Sequence, residues 1–128
     1  MIQVLYEYYS QPWPDNGAIN LESLPSSLEI PVSPDSARRC VNGYLTMYIS
    51  MALHGAEPVL ILREQQPFWR VSMNLRWPGW GYLSTLGYVD VDAKTREVVP
   101  LSTERIKQIQ NKADDFIKLI TSDPNARV

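Results

Sequence analysis

One histidine, one cysteine and a short run of carboxylates carry most of the reactive chemistry this chain could offer. His54 is the only histidine, so no metal site or serine relay that needs a second imidazole can be built. It falls at the close of a helical pattern, where an imidazole meets the helix dipole favourably; a general base is the competing role. Cys40 lies early in the same pattern, between Arg39 and Val41. A helix start and neighbouring arginines favour a reactive thiolate, but a lone cysteine is more often a small core residue. The stretch Asp90-Val91-Asp92-Ala93-Lys94-Thr95-Arg96-Glu97 has the alternating oxygens of a calcium loop. It lacks glycine at the sixth position, and Lys94 stands where the third ligand belongs. Asp92 reads better as the opening of a hairpin turn, its carboxylate bonding the amides ahead. Asp90 and Asp92 could also form an acid–base pair, though an arginine facing Asp90 would hold it ionised and structural. Glu7, Glu22, Glu29, Glu57 and Glu64 form no recognisable spacing. Phosphate loops, dinucleotide fingerprints, nucleophile elbows and zinc spacings are absent. No catalytic set, metal or cofactor is expected.

Aromatic and arginine residues are the stronger signal. Trp77, Trp80 and Tyr82 bracket a Pro78-Gly79 turn, and Tyr6, Tyr8, Tyr9 and Trp13 form a second concentration. Rings at a hairpin tip exceed what the hairpin alone can cover, so they need internal packing elsewhere or a partner. Arg70, Ser72, Asn74 and Arg76 alternate with apolar residues just before this turn. The candidate binding residues are therefore Trp77, Trp80, Tyr82, Arg70, Asn74 and Arg76.

The element that must position them is a strand over residues 68–77. Trp69, Val71, Met73, Leu75 and Trp77 share one side, and the polar set shares the other. A second strand over residues 83–91 follows the Pro-Gly turn, and shorter ones are expected at 2–9, 59–62 and 97–99. No spacer after residue 58 is long enough for a crossover helix, so these pairs should be antiparallel. Matching core to core sets Trp69 opposite Val91, Val71 opposite Val89, Met73 opposite Gly87, Leu75 opposite Thr85 and Trp77 opposite Leu83. The same register sets Arg70 across from Asp90, a cross-strand ion pair worth at most about 1 kcal/mol if exposed.

Two helices complete the pattern. Ser33 caps the first, Pro34 sits at its first position, and Asp35 lies in its first turn. Ala37, Val41, Tyr44 or Leu45, Tyr48 and Ala52 keep helical spacing, and Gly55 with Pro58 is the natural stop. That gives about 21 residues, with residues 44–53 apolar on most sides. Ser102 caps the second helix, whose buried stripe is Ile106, Ile109, Ala113, Phe116, Ile117 and Ile120. Lys107, Lys112, Asp114, Asp115 and Lys118 take its wet side, and the tail from Thr121 should fray. Residues 10–32 hold Pro12, Pro14, Gly17, Pro25 and Pro31 without periodicity. This long Pro-rich loop is expected to be pinned over the core by Trp13, Ile19, Leu21, Leu24, Leu28 and Ile30.

Composition sets the outer bounds. A chain of 128 residues that is 45% apolar makes a single domain, spanning 1–128. Twelve basic against fourteen acidic residues, net −2, argue against nucleic acid except through a local patch drawn from Arg38, Arg39, Arg63, Arg70 and Arg76. A single cysteine fits a reducing compartment. No apolar run approaches the ~20 residues that span a bilayer, and residues 1–7 do not read as a signal peptide. The expected location is the cytoplasm.

From Ser33 onward the order is a long helix, antiparallel strands, then a helix. Together with Trp69-Arg70-Val71 and the stretch from Val89 to Val98, it resembles the cystatin-like group of α+β folds, and locally the PepSY modules. The likeness covers about residues 34–100. The last hairpin of such modules often reads as an aspartate turn followed by Thr-Gly-Glu-Val. Arg96 replaces that glycine here, so it must accept a left-handed conformation or the turn must differ. The resemblance implies binding of peptides, partner proteins or small ligands, although fold likeness does not transfer a function.

The expected fold is thus α+β: a curved antiparallel sheet of four or five strands, a long N-terminal helix across its apolar face and a C-terminal helix at an end or edge. The expected function is non-catalytic binding of another protein or of a second copy. The alternative is a small-ligand protein or an enzyme without a familiar motif. Its pocket would lie between the first helix and the sheet, walled by Tyr44, Tyr48, Trp69 and Met73, with His54 or Asp90 as polar groups.

Overall fold

The sheet is organised around one long strand. In the computed structural model, which describes residues 4–7 and 30–122, the elements in chain order are β1 (Val4–Glu7), α1 (Pro34–Tyr48), β2 (Leu53–Gly55), β3 (Val59–Arg63), β4 (Gln66–Trp77), β5 (Gly81–Asp92) and α2 (Thr103–Ser122). β4 pairs antiparallel with β5 from Phe68 to Trp77 on one side. On the other side its first half pairs with β3 and its second half with β2, both antiparallel. β1 adds to the outside of β3 in parallel. The fold is α+β, with four strands in antiparallel pairing and a fifth, β1, at the margin.

The alternation in β4 makes the two faces of the sheet. Trp69, Val71, Met73 and Leu75 are fully buried and meet Ala37, Val41 and Leu45 of α1 in the core. Trp69 also donates its indole N–H to the carbonyl of Val32, 2.7 Å away, so a wholly buried ring keeps its polar tip satisfied. Arg70, Ser72, Asn74 and Arg76 take the opposite face.

α1 begins as the sequence predicts. Ser33 Oγ accepts the Ser36 amide at 3.1 Å, and Pro34 occupies the first turn. It ends early, however, at 15 residues rather than about 21. Ile49 leaves helical geometry, and the Ser50 hydroxyl and carbonyl accept the amides of Ala52 and Leu53. The chain then turns into β2, whose residues Leu53, His54 and Gly55 pair with Leu75, Asn74 and Met73. Non-local pairing wins over the helical pattern because the far half of β4 would otherwise leave its edge amides and carbonyls unpaired. Gly55 is therefore a strand residue. Its amide donates to Asn42 Oδ1 at 2.7 Å, and its carbonyl accepts Arg38 Nε at 2.9 Å, both from α1.

The β4–β5 register matches the expected one from Phe68 to Met73, including Arg70 opposite Asp90. Beyond Met73 it differs. Asn74 faces Thr85, Leu75 faces Ser84, Arg76 faces Tyr82 and Trp77 faces Gly81. Leu86 and Leu83 are the extra residues of two β-bulges. The first is allowed by Gly87, whose φ of 142° suits glycine alone. The bulges keep Leu83, Leu86 and Val89 toward the core while Tyr82, Thr85 and Tyr88 stay exposed.

α2 opens on Ser102, whose Oγ accepts the Arg105 amide at 3.1 Å, and lies against β5. Ile109 and Ala113 are buried, and Ile106 and Phe116 pack at the margin of the core. Arg105 reaches the Leu86 carbonyl at 3.1 Å, and Gln110 reaches the carbonyl of Ile49 at 3.0 Å. Val98 bridges Val91, and the Val99 amide donates to the Asp90 carbonyl, in place of the short strand expected at 97–99. Of the residues expected to pin the Pro-rich loop, Ile30 packs on the core. Trp13, Ile19, Leu21, Leu24 and Leu28, with Tyr8, Tyr9 and the tail beyond Ser122, lie outside the described residues. No helix among the described residues is long and apolar enough to cross a membrane.

Candidate functional site

The outer face of the sheet divides into two districts. At the β3 end, Asp90 is buried at 6% exposure and takes Arg70 in a bidentate grip, Nε to Oδ1 at 2.9 Å and Nη2 to Oδ2 at 3.1 Å. Arg63 Nη2 adds a contact to Oδ2 at 3.3 Å. The Arg70 guanidinium lies 3.9 Å from the Tyr88 ring centre, and that of Arg63 5.5 Å from Phe68. The cross-strand pair is thus a buried structural knot rather than the exposed pair its strand position suggested. Six residues along β4, roughly 20 Å, separate Arg70 from Arg76, so Arg70 is not brought to the aromatic turn.

The other district lies at the far end of β4. His54 of β2, Asn74 of β4 and Thr85 of β5 form one row across three strands, and Arg76 with Tyr82 forms the next. Residues directly opposite on paired strands share a face, so all five point to the same side. Thr85 Oγ1 donates to Asn74 Oδ1 at 2.8 Å, which commits its only hydroxyl hydrogen. Tyr82 must then donate its hydroxyl to Thr85 Oγ1, 3.0 Å away. Alongside is an open pocket of about 300 Å³ lined by His54, Arg76, Trp77, Pro78, Gly79 and Gly81. Its rim is the turn in which the Trp80 amide bonds the Trp77 carbonyl at 2.9 Å. Pro78 leads that turn, and Gly79 takes the positive φ of 83° that a type II turn demands at its second central position. Trp77 and Trp80 are half-buried, and Tyr82 is 58% exposed.

Of the six candidate residues, Asn74, Arg76, Trp77, Trp80 and Tyr82 meet here, and Arg70 does not. His54 joins them unexpectedly. It stands on a strand, so its expected role at a helix terminus is overturned. Thr85 and Tyr88 were also missed: the bulges that turn Thr85 outward leave no mark in the periodicity, while Tyr88 was legible from simple alternation with Val89.

The remaining reactive residues stay apart. Cys40 is a half-buried free thiol on α1. Asp92 Oδ1 accepts the amides of Lys94 and Thr95 at 2.8 and 3.2 Å, the turn-opening role expected of it. Among the described residues no three His, Cys, Asp or Glu gather as a metal ion would need. The far-end district offers hydrogen-bond donors, aromatic faces and one permanent cation, which suits recognition of a ligand surface. No family model, curated protein or solved structure matches this chain.

Proposed function

We propose that this protein is a non-catalytic binding module that engages another protein, or a second copy of itself, through the far end of the β4–β5 hairpin. The observation that carries this reading is the exposed Tyr82 set beside half-buried Trp77 and Trp80 at the mouth of an open pocket. Large rings with polar tips at an open surface are the residues that anchor protein contacts. A second apolar surface accompanies them: Met47 and Tyr48 at the end of α1 and Met51 just beyond it are exposed.

A ligand pocket between α1 and the sheet is less well supported. Trp69 and Met73, two of its walls, are packed into the core without exposure, and Tyr48 is exposed. Tyr44 spends its hydroxyl on the Leu101 amide at 2.9 Å. His54 and Asp90 share the outer face with Asn74 and Arg70, across the sheet from α1. The helix–strands–helix order supports a cystatin-like architecture, and a φ of 70° at Arg96 supports the PepSY-like turn. The single cysteine supports a cytoplasmic location.

The test is sedimentation velocity of the purified chain, together with affinity capture from its host extract, each repeated with a Trp80→Ala/Tyr82→Ala variant. The expected result is a concentration-dependent dimer, or a captured polypeptide, that is lost in the variant. Association unchanged in the variant would sink the assignment of this surface.

A further inference from the structure

The far-end district has an excess of donors. The Arg76 guanidinium, the His54 imidazole and the Asn74 amide nitrogen have no hydrogen-bond or ion-pair partner among the described residues. Among the described residues no carboxylate lines the pocket. The acidic groups nearest along the chain or the sheet are committed elsewhere. Glu57 turns to Arg38 of α1 at 3.7 Å, and Asp90 is held by Arg70 and Arg63. A chain with net charge −2 thus leaves a patch of donors and one cation beside Trp77 and Tyr82, without an acid among the described residues to answer them.

Building on the binding-module reading, we infer that the occupant of this pocket is an acidic peptide segment of a partner protein. An Asp or Glu carboxylate sits on Arg76 and His54, and a neighbouring apolar side chain lies against Trp77 and Tyr82. A carboxylate offers two oxygens and about four lone-pair sites, enough to satisfy all three donors at once. The hydroxyl chain Tyr82–Thr85–Asn74 fixes the Asn74 oxygen toward Thr85, which turns the amide nitrogen away from Thr85 and leaves it for the ligand. Nucleic acid fits less well. Arg70 already covers a face of the Tyr88 ring, and Arg76, the one arginine without a partner among the described residues of this face, is short of the basic stripe that tracks a phosphate backbone.

Random dodecapeptides displayed on phage and selected on the immobilised full chain provide the test. Enriched peptides are then synthesised with a fluorophore and titrated against wild type, Arg76→Ala and Tyr82→Ala. Circular dichroism confirms that both variants fold. The expected pool is rich in Asp and Glu next to aromatic or aliphatic residues. Affinity should fall roughly tenfold or more in Arg76→Ala. Replacing the peptide's Asp or Glu by Asn or Gln should remove that sensitivity to Arg76. Neutral peptides that ignore Arg76→Ala but are lost in Tyr82→Ala would overturn the acidic partner and leave the binding module standing. No enrichment, or binding indifferent to both variants, would overturn the site as well. A labelled twelve-nucleotide single strand that binds wild type better than any peptide, and is lost in Arg76→Ala, would replace the peptide by nucleic acid.

Discussion

Two arginines six residues apart on one strand face have opposite fates, and the difference lies in what each faces. Arg70 meets a carboxylate that is nearly out of water, so truncating it strands the charge of Asp90 with only the longer contact to Arg63. Arg70→Ala should destabilise the fold by about 3 kcal/mol. Arg76→Ala should shift stability by no more than about 0.5 kcal/mol. Urea unfolding of the two variants side by side checks the contrast, and equal losses would contradict the division of the face into a knot and an open district. Arg96 offers a second test at this scale. It holds φ at 70° at the end of the Asp92 turn and is exposed. Arg96→Gly should stabilise by about 0.5 kcal/mol, the relief of left-handed strain exceeding the added freedom of the unfolded chain. A lowered thermal midpoint would mean that the arginine side chain contributes more than its backbone costs.

At the scale of elements, the contact between α1 and β2 has no slack. A Cβ on Gly55 would meet Val71 Cγ1 at 2.8 Å and Asn42 Oδ1 at 3.2 Å, both held by packing or hydrogen bonds. Gly55→Ala should therefore cost about 1–3 kcal/mol, measurable by thermal denaturation; a neutral result would show that α1 can slide outward without loss. This junction also marks where the sequence stops being legible. The strand periodicity of β4, the Ser33 and Ser102 caps and the register as far as Met73 all follow from local pattern, because neighbouring residues decide them. The end of α1 does not, since Tyr48 and Ala52 keep helical spacing and only pairing with the distant Leu75 shows that Leu53 belongs to a strand. His54 was misassigned for that reason alone. Likewise Thr85 reaches the candidate site through bulges that depend on Gly87 and on packing of Leu86, neither of which disturbs the apolar count. The aromatic turn was legible as a cluster, but the histidine beside it was not.

For the whole molecule, stability should be graded outward from β4. It is paired on both sides through most of its twelve residues, and its inward residues Trp69, Val71, Met73 and Leu75 are fully buried. Its amides should exchange with deuterium slowest of all. Those in the last two turns of α2, where Leu119 is 68% exposed and Phe116, Ile117 and Ile120 are only half-buried, should exchange orders of magnitude faster. Comparable protection in both places would indicate that α2 docks along its full length. Beyond this gradient, the bulges of β5 affect how copies meet in concentrated solution. Among the described residues, the outer edge of β5 is closed by the Val98 bridge, by the Val99 amide and by Arg105 on the Leu86 carbonyl, and the stretch toward Gly81 stays open. A smooth open edge invites a neighbour's strand to add on and propagate into fibres. Two interruptions within five residues break the regular ladder that such a neighbour would need, so the fold carries its own protection against polymerising edge to edge.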